Sequence, residues 1–178
     1  YDVLMRCAEA CSRAGDYARA VSRYKRVLAI KPGDYDARIY IALNLSWDKK
    51  YNDAIEEYKK ILGDYPSDSE AAGGIARTYF WMARFFKSLT YYKKAYSLPR
   101  KSAETITGYG NSLAIFSRDK QAIEKIDEAL AKDKNYSYAL ELKNLILRNN
   151  HMNELKGVKF STKDSDGIIS AGEGGEIE

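Results

Sequence analysis

Apolar residues recur at helical spacing along most of the chain. Ile41, Ala42 and Leu45 fall at i, i+1 and i+4, and Ala54, Ile55, Tyr58, Ile61 and Leu62 form a second stripe of the same kind. Such stripes predict amphipathic helices, each with one buried face. One such pair is expected over Asp36–Lys49 and Asn52–Leu62, with Pro66 stopping its second helix and turning the chain.

A longer period is superimposed on the helical one. Gly15-Asp16-Tyr17, with Ala20-Val21 and Tyr24, returns 34 residues later as Lys49-Lys50-Tyr51, Ala54-Ile55 and Tyr58. It returns again as Ala83-Arg84-Phe85, Ser88-Leu89 and Tyr92, and more weakly as Ala122-Ile123 and Ile126. A small residue keeps the same interval at Ala8, Ala42, Ala76 and Gly110. Packed helices approach to about 8–10 Å, so a crossing point favours a small side chain. Pro32 and Pro66 close the first two units, and Pro99 stands one place early in the third.

This small–aromatic–small pattern on a 34-residue period resembles the tetratricopeptide repeat (TPR). The resemblance implies an all-α superhelix with repeats at 1–34, 35–68, 69–102 and 103–136. A capping helix follows at 137–150, where Leu140, Leu142, Leu145, Ile146 and Leu147 are apolar. In the fourth unit Asp119 replaces the turn aromatic and Lys134 stands in place of proline, which leaves that unit's turn geometry open.

In the family the first helix of each unit lines a concave inner wall. Counting from the small residues puts Met5, Arg6, Glu9 and Arg13 on that wall in unit one, and Ile39, Tyr40, Leu43 and Trp47 in unit two. Gly73, Gly74, Arg77, Phe80 and Trp81 follow in unit three, then Thr107, Asn111 and Ile115 in unit four. The large apolar members are concentrated in the two central units, and exposed patches of this kind mark recognition sites. The candidate ligand-binding residues are therefore Tyr40, Leu43, Trp47, Arg77, Phe80 and Trp81. Trp47 and Trp81, one repeat apart, form either an exposed ladder or wedges between neighbouring units. Arg77, with Arg6 and Arg13, is a candidate anchor for an acidic group. The Lys and Asn residues of family members that clamp a C-terminal carboxylate are replaced here by Met5, Glu9, Ile39 and Leu43.

A second resemblance rests on Ile41-Ala42-x-x-Leu45-x-Trp47-x-x-x-Tyr51 and Ile75-Ala76-x-x-Tyr79-x-Trp81-x-x-x-Phe85. It is similar to the TPR segments of YaiO-type outer-membrane proteins and bacterial exopolysaccharide-export proteins, in which a periplasmic arm precedes a β-barrel. It implies a periplasmic location and, through the aromatic faces, contact with polysaccharide.

Composition narrows the chemistry. The 178 residues include one histidine and two cysteines, too few for most histidine-based catalysis or zinc sites. Cys7 and Cys11 lie on one helical stripe and read as core thiols. No nucleophile–base–orienter set can be assembled, so no enzyme activity and no cofactor are expected. The net charge of +4 is spread as isolated basic pairs, which argues against nucleic acid as a partner. No apolar run reaches the roughly 20 residues of a membrane span.

Beyond Asn150 the pattern changes. Gly157–Ser161 alternates like a strand, and Ile168-Ile169 reads as another, so 151–178 is expected to be a linker and the start of a β-rich segment. Asp164, Asp166 and Glu173 match part of a calcium loop, but Thr162 occupies the first ligand position, so a plain polar turn is the preferred reading. Three functions remain in view. They are a non-catalytic scaffold binding a protein or peptide segment, a periplasmic arm for polysaccharide export or envelope assembly, and a docking arm for an enzyme domain elsewhere.

Overall fold

The computed structural model describes residues 1–155, with side chains to Asn150, and two short strands at 161–162 and 169–170. Nine helices occur among the described residues: α1 (Asp2–Arg13), α2 (Tyr17–Ile30), α3 (Tyr35–Trp47), α4 (Tyr51–Asp64), α5 (Ser69–Trp81), α6 (Phe85–Ser97), α7 (Ala103–Ile115), α8 (Asp119–Lys132) and α9 (Ser137–Leu155). The fold is an all-α helical repeat of the TPR kind. The chain divides into two compact units, Tyr1–Lys101 and Ser102–Glu178.

In the first unit each helix packs on the next in order, and α3 also lies against α5. One core cluster joins α1, α2 and α3 through Ala8, Ala20, Val21, Tyr24, Val27, Ala37 and Ile41. The next joins α3, α4 and α5 through Ile39, Ala42, Ile55, Tyr58, Ile61, Ala71 and Ile75. Each second helix, α2 or α4, is thus held between two first helices. The small positions Ala8, Ala42, Ala76, Ala20, Ala54 and Ser88 are fully buried, as close helix crossings require.

The helix ends repeat as faithfully as the core. Asp34 accepts from Ala37 N at 2.9 Å, Asp68 from Ala71 N at 2.9 Å, and Ser102 from Thr105 N at 3.1 Å. These N-caps open α3, α5 and α7, and each contributes about 1 kcal/mol. The turn inside each helix pair takes one left-handed residue, at Gly15 (φ 78°), Lys49 (φ 60°), Ala83 (φ 54°) and Ser117 (φ 54°). The following N–H reaches back to close the helix, as in Lys50 N to Leu45 O at 2.9 Å and Arg118 N to Leu113 O at 3.1 Å. The fourth turn therefore has the geometry of the others despite Asp119, because backbone groups rather than the aromatic close it.

In the second unit α8 packs against both α7 and α9. Gly110 lies close under α8, where an added Cβ would sit 3.0 Å from Ile126 Cγ1 and 3.1 Å from Ala122 O. Helix α9 runs to Leu155 rather than stopping near residue 150, since no proline or glycine interrupts it before Gly157. Ser161–Thr162 and Ile169–Ser170 pair antiparallel, with Ser161 opposite Ser170. Asp164, Asp166 and Glu173, the calcium-loop candidates, lie outside the described residues.

Candidate functional site

The six candidate residues stand on the two central first helices of the first compact unit. Tyr40, Leu43 and Trp47 are on α3, and Arg77, Phe80 and Trp81 on α5. A buried hydrogen bond between Ser46 Oγ and Thr78 Oγ1, at 2.9 Å, ties these helices together. Trp47 and Trp81 are each 39% exposed, so both indole rings offer surface to solvent. The Arg77 guanidinium carbon lies 5.7 Å from the centre of the Trp81 ring, within cation–π range. Phe80 meets Phe85 edge-on at 5.5 Å. Leu43, Arg77 and Phe80 are half-buried.

Trp47 also tilts against Tyr17 of the preceding helix pair at 5.6 Å, so it both packs between repeats and keeps an exposed face. Burial pushes the Tyr58 phenol up, while the charge of Arg77 and a hydrogen bond with it pull the other way. Arg77 therefore serves the second-helix core beneath it as well as the Trp81 ring above.

Several residues assigned to the inner wall by spacing belong to the core. Ile39 is 6% exposed and sits in the α3–α5 cluster. Tyr40 stacks on buried Tyr24 at 5.3 Å and 19°, and so helps hold α2 against α3. Gly73, Gly74 and Thr107 are buried. At Gly74 an added Cβ would overlap the Tyr58 ring, with even Cε2 only 2.8 Å away. The reason is angular: positions one residue apart on a helix differ by about 100°, so the wall and the face toward the preceding second helix adjoin. On α1, Arg6 and Arg13 are exposed, Glu9 is half-buried and Met5 packs against the first cluster. On α7, Asn111 donates to the Tyr138 hydroxyl at 2.7 Å, and Ile115 is 37% exposed.

Spacing arguments also missed polar residues. Asn44, Thr78 and Ser112 follow the 34-residue period and are all buried. Asn44 donates to Tyr40 O at 2.8 Å, and its Oδ1 has no partner among the described residues. Tyr35, Tyr65, Asp68 and Glu70, which line a concavity away from the six candidates, were also missed. The signal available for them was the recurrence of Tyr1 and Asp34 at Tyr35 and Asp68. Cys7 and Cys11 are half-buried free thiols, less enclosed than core positions. Among the described residues no cluster of His, Cys, Asp or Glu is placed to hold a metal ion. No described helix is long and apolar enough to cross a membrane.

No family model and no curated protein matches the chain. Solved structures do resemble it. A tetratricopeptide repeat protein from Parabacteroides merdae superposes with a TM-score of 0.73 at 16% identity, over 82% of this chain and 57% of that one. This chain thus spans little more than half of that protein's length. A thermophilic TPR protein from Thermus thermophilus gives 0.71 at 19% identity, over 82% of both chains. YrrB, described as a TPR protein with an unusual peptide-binding site, gives 0.59 at 19% identity, over 74% of this chain and 68% of that one. At these identities the likeness is one of fold, and the fold it shows is that of the TPR proteins.

Proposed function

We propose that the chain is a non-catalytic interaction scaffold that binds a protein or peptide segment across the first helices α3 and α5. The observation that carries this reading is the pair Trp47 and Trp81, one repeat apart and each 39% exposed, with Arg77 over the second ring. A folded repeat does not need these indoles in solvent, and Trp and Arg are the commonest interface hot spots. Leu43 and Phe80, half-buried on the same two helices, add apolar surface, and Arg77 offers a directional contact for an acidic or carbonyl group. The peptide-binding site of YrrB is consistent with such use of the fold.

Peptide-library selection against the full chain, followed by titration of the selected peptide, tests this. Trp81→Ala and Phe80→Ala are expected to weaken binding by about 1–3 kcal/mol each with helicity retained. Lys59→Ala, on the exposed side of α4, should leave affinity unchanged. Tyr40→Ala is not a clean probe, because Tyr40 stacks on the core. If neither Trp81→Ala nor Phe80→Ala changes the affinity, the ligand lies elsewhere.

A second reading rests on the repeated Ile-Ala-x-x-(Leu/Tyr)-x-Trp motif at 41–47 and 75–81. On that reading the chain is a periplasmic arm for polysaccharide export or envelope assembly, and the exposed indole faces stack on sugar rings. Quenching of tryptophan fluorescence by neutral oligosaccharides, lost in Trp47→Ala, is its expected signature.

A further inference from the structure

The first and second repeat junctions share a Tyr–Asp pair but differ at the position of Lys31. At the first, Lys31 Nζ lies 3.1 Å from Asp34 Oδ2 and 5.4 Å from the centre of the Tyr1 ring. The Tyr1 hydroxyl donates to the same carboxylate oxygen, Asp34 Oδ2. Burial alone would raise the Asp34 carboxyl, but hydrogen bonds from Tyr1, Ala37 N and Lys31 outweigh it and hold it below its ordinary value. This cradle of ring and carboxylate is filled by an ammonium group that the chain itself supplies.

One period later Tyr35 stands for Tyr1 and Asp68 for Asp34, but Tyr65 stands for Lys31. The lysine is replaced by a second aromatic wall, with Tyr65 edge-on to Tyr35 at 6.0 Å and 83°. A cleft of about 610 Å³ opens here, lined by Tyr35, Tyr65, Asp68, Glu70 and Arg100 and by Pro66 and Pro99. That volume is in the range of small-ligand sites. Tyr35 donates to Glu70 Oε2 at 3.3 Å. Burial pushes the Tyr35 phenol up, and a hydrogen bond to Asp68 with the charges of Glu70 and Asp68 pushes it further. Crowding by the surrounding chain raises the Glu70 carboxyl; the Tyr35 hydrogen bond and the Arg77 charge oppose this, while Asp68 and Asp36 reinforce it.

Three arginines stand nearby. Arg38 is engaged with Asp64 at 2.7 Å on the same border. Arg77 acts on Glu70 from its position beside Trp81. Arg100 stands at the rim, held in a left-handed backbone conformation at φ 57°.

We propose that this cleft receives the side chain of a lysine or arginine from a partner protein, with its cationic head beside the Tyr65 ring and against Asp68 and Glu70. The chemistry is the one that Lys31 performs at the first junction, with the cation coming from outside. A cation over an aromatic face gains from the ring quadrupole as well as from the carboxylates. The two prolines and the Tyr65 ring supply apolar walls for the alkyl stem. Because the chain as a whole carries a charge of +4, a basic partner is not attracted by net charge and must find a local site. None of the six candidates on α3 and α5 lines this cleft, although the Arg77 charge reaches Glu70.

The test is an NMR titration of the full chain, carrying labelled tyrosine and tryptophan, with the blocked peptide acetyl-(Lys-Gly)3-amide. The same peptide with norleucine in place of lysine serves as the uncharged control. Saturable shifts of the Tyr35 and Tyr65 rings are expected with the lysine peptide only. Tyr65→Ala and Glu70→Gln should each raise Kd by about fivefold, the order expected for one cation–π or charged contact at a partly exposed site. Both positions are exposed, so both variants are expected to fold. Arg100→Ala should lower Kd, because it removes a like charge from the rim. Equal shifts with the norleucine peptide, or Kd within twofold of the parent in both Tyr65→Ala and Glu70→Gln, would overturn the proposal. So would spermidine binding the cleft more tightly than the peptide, since the occupant would then be a free polyamine. Shifts confined to Trp47 and Trp81 would also overturn it while leaving the α3–α5 face intact as a peptide site.

Discussion

Gly74 shows how much one missing methyl group decides. It takes the register position of Tyr40 in the next repeat, and the two solve the same packing problem in opposite ways. At the first junction two rings stack, Tyr24 on Tyr40. At the second the Tyr58 ring comes down onto bare backbone at Gly74. Gly74→Ala gains helix propensity of about 1 kcal/mol. It also drives a Cβ into the Tyr58 ring, which is 1% exposed and packed in the core. The expected net outcome is destabilisation by about 1–3 kcal/mol in denaturant unfolding; a neutral or stabilising result would mean that the ring shifts freely. Counting along the chain placed both Tyr40 and Gly74 on an open wall. A helical count gives an angle around the axis, but only the neighbour's side chain says whether that angle is filled. Trp47 and Trp81 keep exposed surface while Leu43 and Phe80 are half-buried, and Trp47 also packs on Tyr17; the sequence left ladder and wedge open because the choice depends on how far one pair of helices rotates over the next.

At the level of the elements, each helix pair is closed by the same turn, and only the first copy has the residue best suited to it. Gly15 adopts its left-handed conformation without a Cβ penalty, whereas Lys49, Ala83 and Ser117 adopt theirs against one. Ala83→Gly is therefore expected to stabilise the first compact unit by up to about 1 kcal/mol, the relief of backbone strain being partly offset by added freedom in the unfolded chain. Lys49→Gly should act in the same direction, and Gly15→Ala in the opposite one. Thermal unfolding of the three variants checks the sign in each case. The N-caps Asp34, Asp68 and Ser102 carry the same 34-residue beat and could have been read from sequence, being short polar residues just ahead of apolar stripes. The turn at Ser117 could not: without its aromatic the fourth repeat looked divergent, yet the turn is built from backbone hydrogen bonds that side-chain patterns do not report.

For the whole chain, stability in a repeat protein is roughly a sum of units and their nearest-neighbour contacts. The division at Lys101 and Ser102 leaves both core clusters within 1–101. An isolated 1–101 chain is expected to give a strongly helical circular dichroism spectrum and a cooperative melt, whereas a spectrum of unfolded chain would show that the two clusters do not suffice. What the sequence determined by itself was the set of helices, their order and the buried small positions. These follow from local periodicity and from the steric demand of helices crossing at short range. The tertiary structure decided which residues beside the small positions stay in solvent. It also set the Tyr65 ring edge-on to Tyr35 at the second junction, where the sequence shows only that a tyrosine replaces Lys31. Those outcomes depend on the rotation of each helix against its neighbour, and that rotation is fixed by side-chain volumes meeting across the interface, such as Tyr58 against Gly74, which no single stretch of sequence contains.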